Sequence, residues 1–118
     1  MACDAPLVSI IVINHNYARF LRDAIESALA QTYENVEIIV VDDGSTDDSR
    51  DVLRDYSQQV RLLFRPRGGH VSAVNAGYAA CRGAIVFFLD ADDALAESAL
   101  DAVVSAWRIA TRVASTDC

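Results

Sequence analysis

Hydrophobic residues along the chain fall into two alternating periodicities. Four short runs, at residues 8–13, 36–41, 60–64 and 84–89, are rich in β-branched side chains and nearly continuous in apolar character. Continuous rather than alternating runs predict strands buried on both faces, as in a parallel sheet. The third carries Arg61 inside it and is the weakest, which predicts a place at a sheet edge. Between the runs the spacing becomes helical. Leu21, Ala24, Ile25, Ala28 and Leu29 share one stripe, and Val52, Leu53 and Tyr56 a shorter one. Ser45 or Thr46 is placed to cap the second helix, with Asp47 and Asp48 in its first turn. A third stripe is made of small residues and Tyr78 (Ala73, Val74, Gly77, Tyr78, Cys81); a fourth is Leu100, Val103, Val104 and Trp107. The order β-α-β-α-β-α-β-α implies right-handed crossovers and an α/β fold, a doubly wound, mostly parallel sheet.

Composition narrows the chemistry. At 118 residues the chain suits one domain, and 53% apolar content is enough for a packed core. A net charge of -7, from 17 acidic and 10 basic residues, argues against nucleic acid as a partner. Every basic residue is an arginine. The absence of lysine excludes a Walker-type phosphate loop and Schiff-base catalysis. The apolar run near the start is far shorter than the ~20 residues of a membrane span. Cys3, Cys81 and Cys118 form no Cys-x-x-Cys pair, so inert thiols in a reducing cytosol are the default expectation.

In a doubly wound sheet, ligands bind outside the carboxyl ends of the strands. The residues following the four runs are Asn14, His15, Asn16 and Tyr17; Asp42, Asp43, Gly44 and Ser45; Arg65, Pro66, Arg67, Gly68 and Gly69; and Asp90, Ala91, Asp92 and Asp93. Polar residues thus collect at one rim. Three carboxylates within residues 90–93 repel one another unless solvent, donors or a cation offsets the charge. In extended chain Asp90 and Asp92 share a side, so a hard divalent ion, Mg2+ or Mn2+, can sit near both and leave positions open for phosphate oxygens. The plain alternative is a solvated turn that caps the next helix. Asp42 suits acceptance of hydrogen bonds from a nucleobase imide or a ribose hydroxyl. Asp43 is equally well explained by an Asp-Gly turn. The amides of Gly68 and Gly69 can meet phosphate or simply form a tight turn. Of Arg65 and Arg67, one is expected to face solvent. His15 and His70 read as polar loop residues.

These motifs, taken together, resemble the family 2 glycosyltransferases. The likeness runs through the stretch from Pro6 to Val12, Asn14-His15-Asn16-Tyr17, Gln31-Thr32-Tyr33, the run from Glu37 to Asp47, Asn75-Ala76-Gly77, Cys81-Arg82-Gly83 and Phe88-Leu89-Asp90-Ala91-Asp92-Asp93, collinear over nearly the whole chain. The resemblance implies a GT-A (Rossmann-like) nucleotide-binding half that takes a nucleotide-sugar donor, most often linked to UDP, and transfers the sugar with inversion to an acceptor (glycan, lipid or protein). It implies that Asp42 contacts the nucleobase, with Asp43 beside it. Asn14 and Asn16 border the base, and Ile13 and His15 stand where many members carry proline and tyrosine. Asn75 belongs to a motif on the third helix under the donor site. Asp92 is the implied Mg2+ or Mn2+ ligand, with Asp90 as its partner or as a ribose contact. Family members also have a second half with the acceptor site and a general-base aspartate, for which no residue here is a match. The expectation is therefore a domain over residues 1–118 cut before the acceptor-binding half, weak in transfer alone. Its fourth strand would be left as an apolar edge that favours self-association. The resemblance adds peripheral membrane association as an alternative to a free cytoplasmic protein. A receiver-type phosphotransfer domain needs a lysine, a haloacid-dehalogenase-like phosphatase needs its two aspartates two apart, and a dinucleotide oxidoreductase needs Gly-x-Gly-x-x-Gly after the first strand; none of these is present. A non-catalytic binding module on the same fold is the remaining alternative.

Overall fold

A computed structural model describes residues 5–114. Its elements follow the sequence order: β1 (Val8–Asn14), α1 (Ala18–Leu29), β2 (Val36–Asp43), α2 (Ser49–Arg54), β3 (Arg61–Arg65), α3 (His70–Ala80), β4 (Ile85–Asp90) and α4 (Ala99–Ala114). The four strands form one sheet in the order β3-β2-β1-β4, and every neighbouring pair is parallel. The expectation of a mostly parallel sheet is thus exceeded among the described residues. The winding reverses at β1: α1 and α2 lead outward to β3, and α3 then crosses back to β4 on the other side.

Strand side chains alternate between faces. Val8, Ile10 and Val12 of β1 join Ile38, Val40 and Leu89 under α1, α2 and α4. Ile11, Ile13, Ile39 and Val41 line the opposite face under α3. β1 and β2 are therefore covered on both sides, which is why their runs are continuous. β3 lies at an edge, as Arg61 predicts, and β4 is the outer strand on the other side, with Phe88 exposed. Cys81 is a free, half-buried thiol, and Cys3 and Cys118 lie outside the described residues. No helix among the described residues is long and apolar enough to cross a membrane.

Three helix expectations are corrected. Ser45 and Thr46 do not cap α2, which starts at Ser49. Its entry is held by Asp47, whose Oδ1 accepts the Ser49 amide at 2.9 Å, an Asx turn rather than a Ser/Thr cap. Tyr56 lies just beyond α2 and reaches the core from a turn, not from the helix. On α3 only Ala73 and Gly77 are buried, and Tyr78 points out to solvent.

Gly77 is where α3 approaches the sheet most closely. A Cβ there would lie 2.5 Å from Ile11 Cγ2 and 3.1 Å from Val41 Cγ2. Both are methyls of stiff β-branched residues in the buried strands, so neither can swing away. Overpacking costs about 1–3 kcal/mol, and the gain in helix propensity offsets at most about 1 kcal/mol. Gly77→Ala is therefore expected to lower stability by about 1–2 kcal/mol, measured by urea denaturation.

Candidate functional site

The parallel register carries all four strand ends to one rim. Asn14 pairs with Asp42 across β1 and β2, Asp42 with Phe64 and Asp43 with Arg65 across β2 and β3, and Ile13 with Asp90 across β1 and β4. The first polar residues expected after the apolar runs, Asn14, Asp42, Asp43, Arg65 and Asp90, are in fact the last members of the strands, because the ladder continues through them. Ala91 prolongs it by donating its amide to the Ile13 carbonyl at 3.0 Å.

Adjacent residues of β2 face opposite ways, so Asp42 points to the side of α1 and α2 and Asp43 to the side of α3. Both are almost fully buried. Burying an ionised carboxylate is unfavourable unless donors surround it. Asp42 Oδ1 accepts from Asn14 Nδ2 at 2.9 Å and from Ser45 Oγ at 2.6 Å. Its Oδ2 accepts the Ser45 amide at 3.2 Å and lies 3.6 Å from Arg50 Nε. Asn14, itself buried, also accepts the Tyr17 amide through Oδ1.

Asp43 binds the β3–α3 loop. Its Oδ1 accepts the Gly68 amide at 2.9 Å, and its Oδ2 accepts the Gly69 amide at 3.0 Å and Arg67 Nη1 at 2.9 Å. Arg65 Nε stands 3.7 Å from Oδ1. The amides considered for phosphate are thus already given to Asp43; both arginines lean on that carboxylate, and Arg67, exposed, also faces solvent as expected of one of the two. Gly44 makes this approach possible. It adopts φ 67°, in the left-handed region, and a Cβ there would collide with the Arg67 backbone. Burial disfavours the charged form of Asp43, but the Gly68 and Gly69 amides, then Arg67 and Arg65, outweigh it and hold the carboxyl below its ordinary value.

Asn16 ties the loops after β1 and β2 together. It adopts φ 59°, and its Oδ1 accepts the amides of Thr46 at 2.7 Å and Asp47 at 3.2 Å. Asp47 Oδ2 in turn accepts the Ala18 amide at the start of α1 at 3.0 Å. The sequence reading missed Asp47 in this role, although its spacing two residues before Ser49 is an Asx-turn signal. His15 Nδ1 lies 2.8 Å from the Asp43 carbonyl oxygen, a loop contact as expected. Asn75 is exposed on α3 and takes no part in the hydrogen-bonded group around Asp42 and Asp43.

Asp90, Asp92 and Asp93 are different in kind. All three are exposed, and each offers an oxygen within 4.8 Å of the others. They converge because the chain turns, with the Asp93 amide donating to the Asp90 carbonyl at 2.9 Å. This corrects the expectation that extended chain aligns Asp90 and Asp92, and it adds Asp93 to the group. Three hard oxygen donors with spare lone pairs fit Mg2+ or Mn2+. A cleft of about 610 Å³ opens elsewhere, among Glu34, Glu37, Gln59, Arg61 and Arg82; none of the rim acids borders it.

The family model described as glycosyl transferase family 2 matches residues 9–115. An uncharacterized glycosyltransferase of Nostoc sp. is 45% identical over 105 residues, which cover 86% of this chain and 33% of that protein. One from Rickettsia prowazekii is 45% identical over 89 residues, 75% of this chain and 28% of its own length. The chain thus spans about a third of the length of the curated relatives it matches. Among solved structures, Staphylococcus aureus TarS 1-349 in complex with UDP-GlcNAc superposes with a TM-score of 0.75 at 25% identity, over 84% of this chain and 30% of TarS 1-349. The mannosyltransferase PcManGT from Pyrobaculum calidifontis, in complex with GDP-Man and Mn2+, gives a TM-score of 0.72 at 26% identity, over 87% of this chain and 32% of its own.

The lowered pKa of Asp43 sets the sign of a pH effect. The folded value lies below the unfolded one, so the stabilisation is complete above about pH 4 and is lost as pH falls through the lowered value. Asp43→Asn is expected to cost about 3 kcal/mol at pH 7. The gap to the wild type should narrow progressively as pH falls below about 4, which chemical denaturation at a series of pH values from 7 downward checks.

Proposed function

The chain belongs to glycosyl transferase family 2, and from that premise we propose that it binds a nucleotide-sugar donor, UDP-linked, at the carboxyl rim of its sheet through a divalent cation. The observation that carries this reading is the parallel register, which sets Asn14, Asp42 and the Asp90–Asp92–Asp93 turn on one rim on either side of β1. Relatives in complex with UDP-GlcNAc and with GDP-Man and Mn2+ support the ligand class.

In this reading Asp92 and Asp90 hold the ion, with Asp93 beside them. The cation, when bound, offsets the acids and stabilises the departing diphosphate. Asp42, with Asn14 and Asn16, is assigned to the base in this reading, which requires an oxygen of the buried Asp42 to exchange one of its present donors, Ser45 or Arg50, for the base, and Asp43 holds the β3–α3 loop at the same rim. Asn75, exposed on α3, is assigned a further contact to the donor. In this reading the transfer inverts the anomeric carbon, and none of residues 1–118 is assigned to the acceptor site or the general base. Residues 1–118, about a third of the relatives' length, are read as the donor-binding part, with weak or absent transfer expected of them alone.

Calorimetric titration with UDP, GDP and dTDP, with and without Mn2+, tests the proposal. UDP should bind tightest and only with the ion, and Asp92→Ala should weaken it at least tenfold, about 1.4 kcal/mol. Equal binding by the variant would remove Asp92 from the ion site. The same reading includes self-association, supported by the outer position of β4 and its exposed Phe88. Light scattering at high concentration should report dimers or larger species, and a monomer would count against β4 pairing.

A further inference from the structure

The acidic turn is anchored on one side only by the sheet. Asp90 ends β4 opposite Ile13, and Ala91 is bonded to the same strand. Downstream, residues 94–98 belong to no strand or helix, yet their backbone is held firmly by the far end of α1. Gln31 is the centre of this clamp. Its Nε2 donates to the Ala96 carbonyl at 2.7 Å and to the Ser27 carbonyl at 3.1 Å, and its Oε1 accepts the Leu100 amide at 3.0 Å, in the first turn of α4. Ser27 Oγ accepts the Leu95 amide at 3.0 Å, and Thr32 donates to the Glu97 carbonyl through its amide at 3.0 Å and its Oγ1 at 3.2 Å. Only Ala94 separates this clamped segment from Asp93.

We propose that Gln31 is a positioning residue for the acidic turn: by fixing the backbone at Ala96 and Leu100 it keeps Asp90, Asp92 and Asp93 converged for a divalent cation. The inference rests on the reading of that turn as an ion site. Three like charges within 4.8 Å push apart when no ion is bound. The sheet restrains Asp90, but Asp92 and Asp93 can spread unless the chain beyond them is fixed. A primary amide suits the task because one side chain satisfies a carbonyl and an amide at once, as a peptide group would. Outer partners that orient ion ligands are typically worth about 10–100-fold in affinity.

The test is a Mn2+ titration of the full chain followed by electron paramagnetic resonance, on the wild type, Gln31→Met, Gln31→Glu and Asp92→Ala. Gln31→Met keeps the side-chain length and loses every hydrogen bond, and should weaken Mn2+ binding about tenfold while amide exchange at Leu95 and Leu100 quickens. Gln31→Glu keeps the acceptor for Leu100 but leaves the Ala96 carbonyl without a donor. If the methionine variant does not fold, the glutamate variant is titrated in its place and should still weaken binding severalfold. A role in stability alone would lower Tm and leave the Mn2+ affinity of folded protein at the wild-type value in both variants, which would overturn the proposal. A wild-type titration as flat as that of Asp92→Ala would instead refute the ion site itself, and the positioning role with it.

Discussion

Two carboxylates side by side at the end of a buried strand constrain this molecule more than any other feature. Successive strand residues face opposite ways, so Asp42 and Asp43 cannot share one set of donors. Each needs its own, on its own face of the sheet, and an unpaired buried charge would be prohibitive. The β2–α2 loop, Asn14 and Arg50 supply the first set, and the β3–α3 loop supplies the second. The loops that border the rim are therefore shaped by the need to neutralise β2, and Gly44 is the backbone position that lets the two loop systems meet. Fold and site are the same hydrogen-bonded object here.

A similar device secures the opposite end of the sheet. Glu37 near the start of β2 accepts the buried Ser9 hydroxyl and the Arg82 amide through Oε2, each at 2.5 Å, while Arg61 and Arg82 lie near its other oxygen. The Gly83 amide completes the group by donating to Ser9 Oγ at 2.8 Å. Burial works against the Glu37 charge, yet Ser9, the Arg82 amide and the two arginines carry its pKa below the usual value. The turn between α3 and β4 is thereby fixed to β1 and β2. Because β4 has only β1 as a neighbour among the described residues, this fixed starting point sets where its last residue, Asp90, emerges.

The sequence made the scaffold legible because each of its signals is local. Continuous apolar runs mark strands covered twice, and the stripes at Leu21 to Leu29 and Leu100 to Val104 mark the faces that cover them. Asn14, Asp42, Asp43 and Asp90 could be placed on one rim from element order alone. What could not be read was which donor each acid meets, since Asp43 with Gly68, or Asn16 with Thr46, joins residues 25 and 30 positions apart. Ser45 and Thr46 illustrate the competition. Both are good cap residues, but Ser45 serves the buried charge of Asp42 and the Thr46 amide serves Asn16, leaving Asp47 to hold the entry to α2. The convergence of Asp90, Asp92 and Asp93 was hidden for another reason. Period-two reasoning holds only while the strand lasts, and here it ends at Asp90.

The acids of the rim consequently fall into two electrostatic classes. Asp42 and Asp43 are dry and almost wholly bonded within the chain, so they behave as fixed parts of the scaffold whose charge is already offset. Asp90, Asp92 and Asp93 are wet, three exposed carboxylates whose oxygens lie within 4.8 Å of one another and repel. A pyrophosphate approaching this rim meets net negative charge, and the arginines nearest β2 cannot answer it because Arg65 and Arg67 are engaged with Asp43. With no lysine in the chain, the remaining way to reverse the local sign is a cation on the exposed acids. The proposed metal dependence follows from that allocation of charge: the buried pair consumes the basic groups at the rim, and the exposed trio is left free to take up an ion.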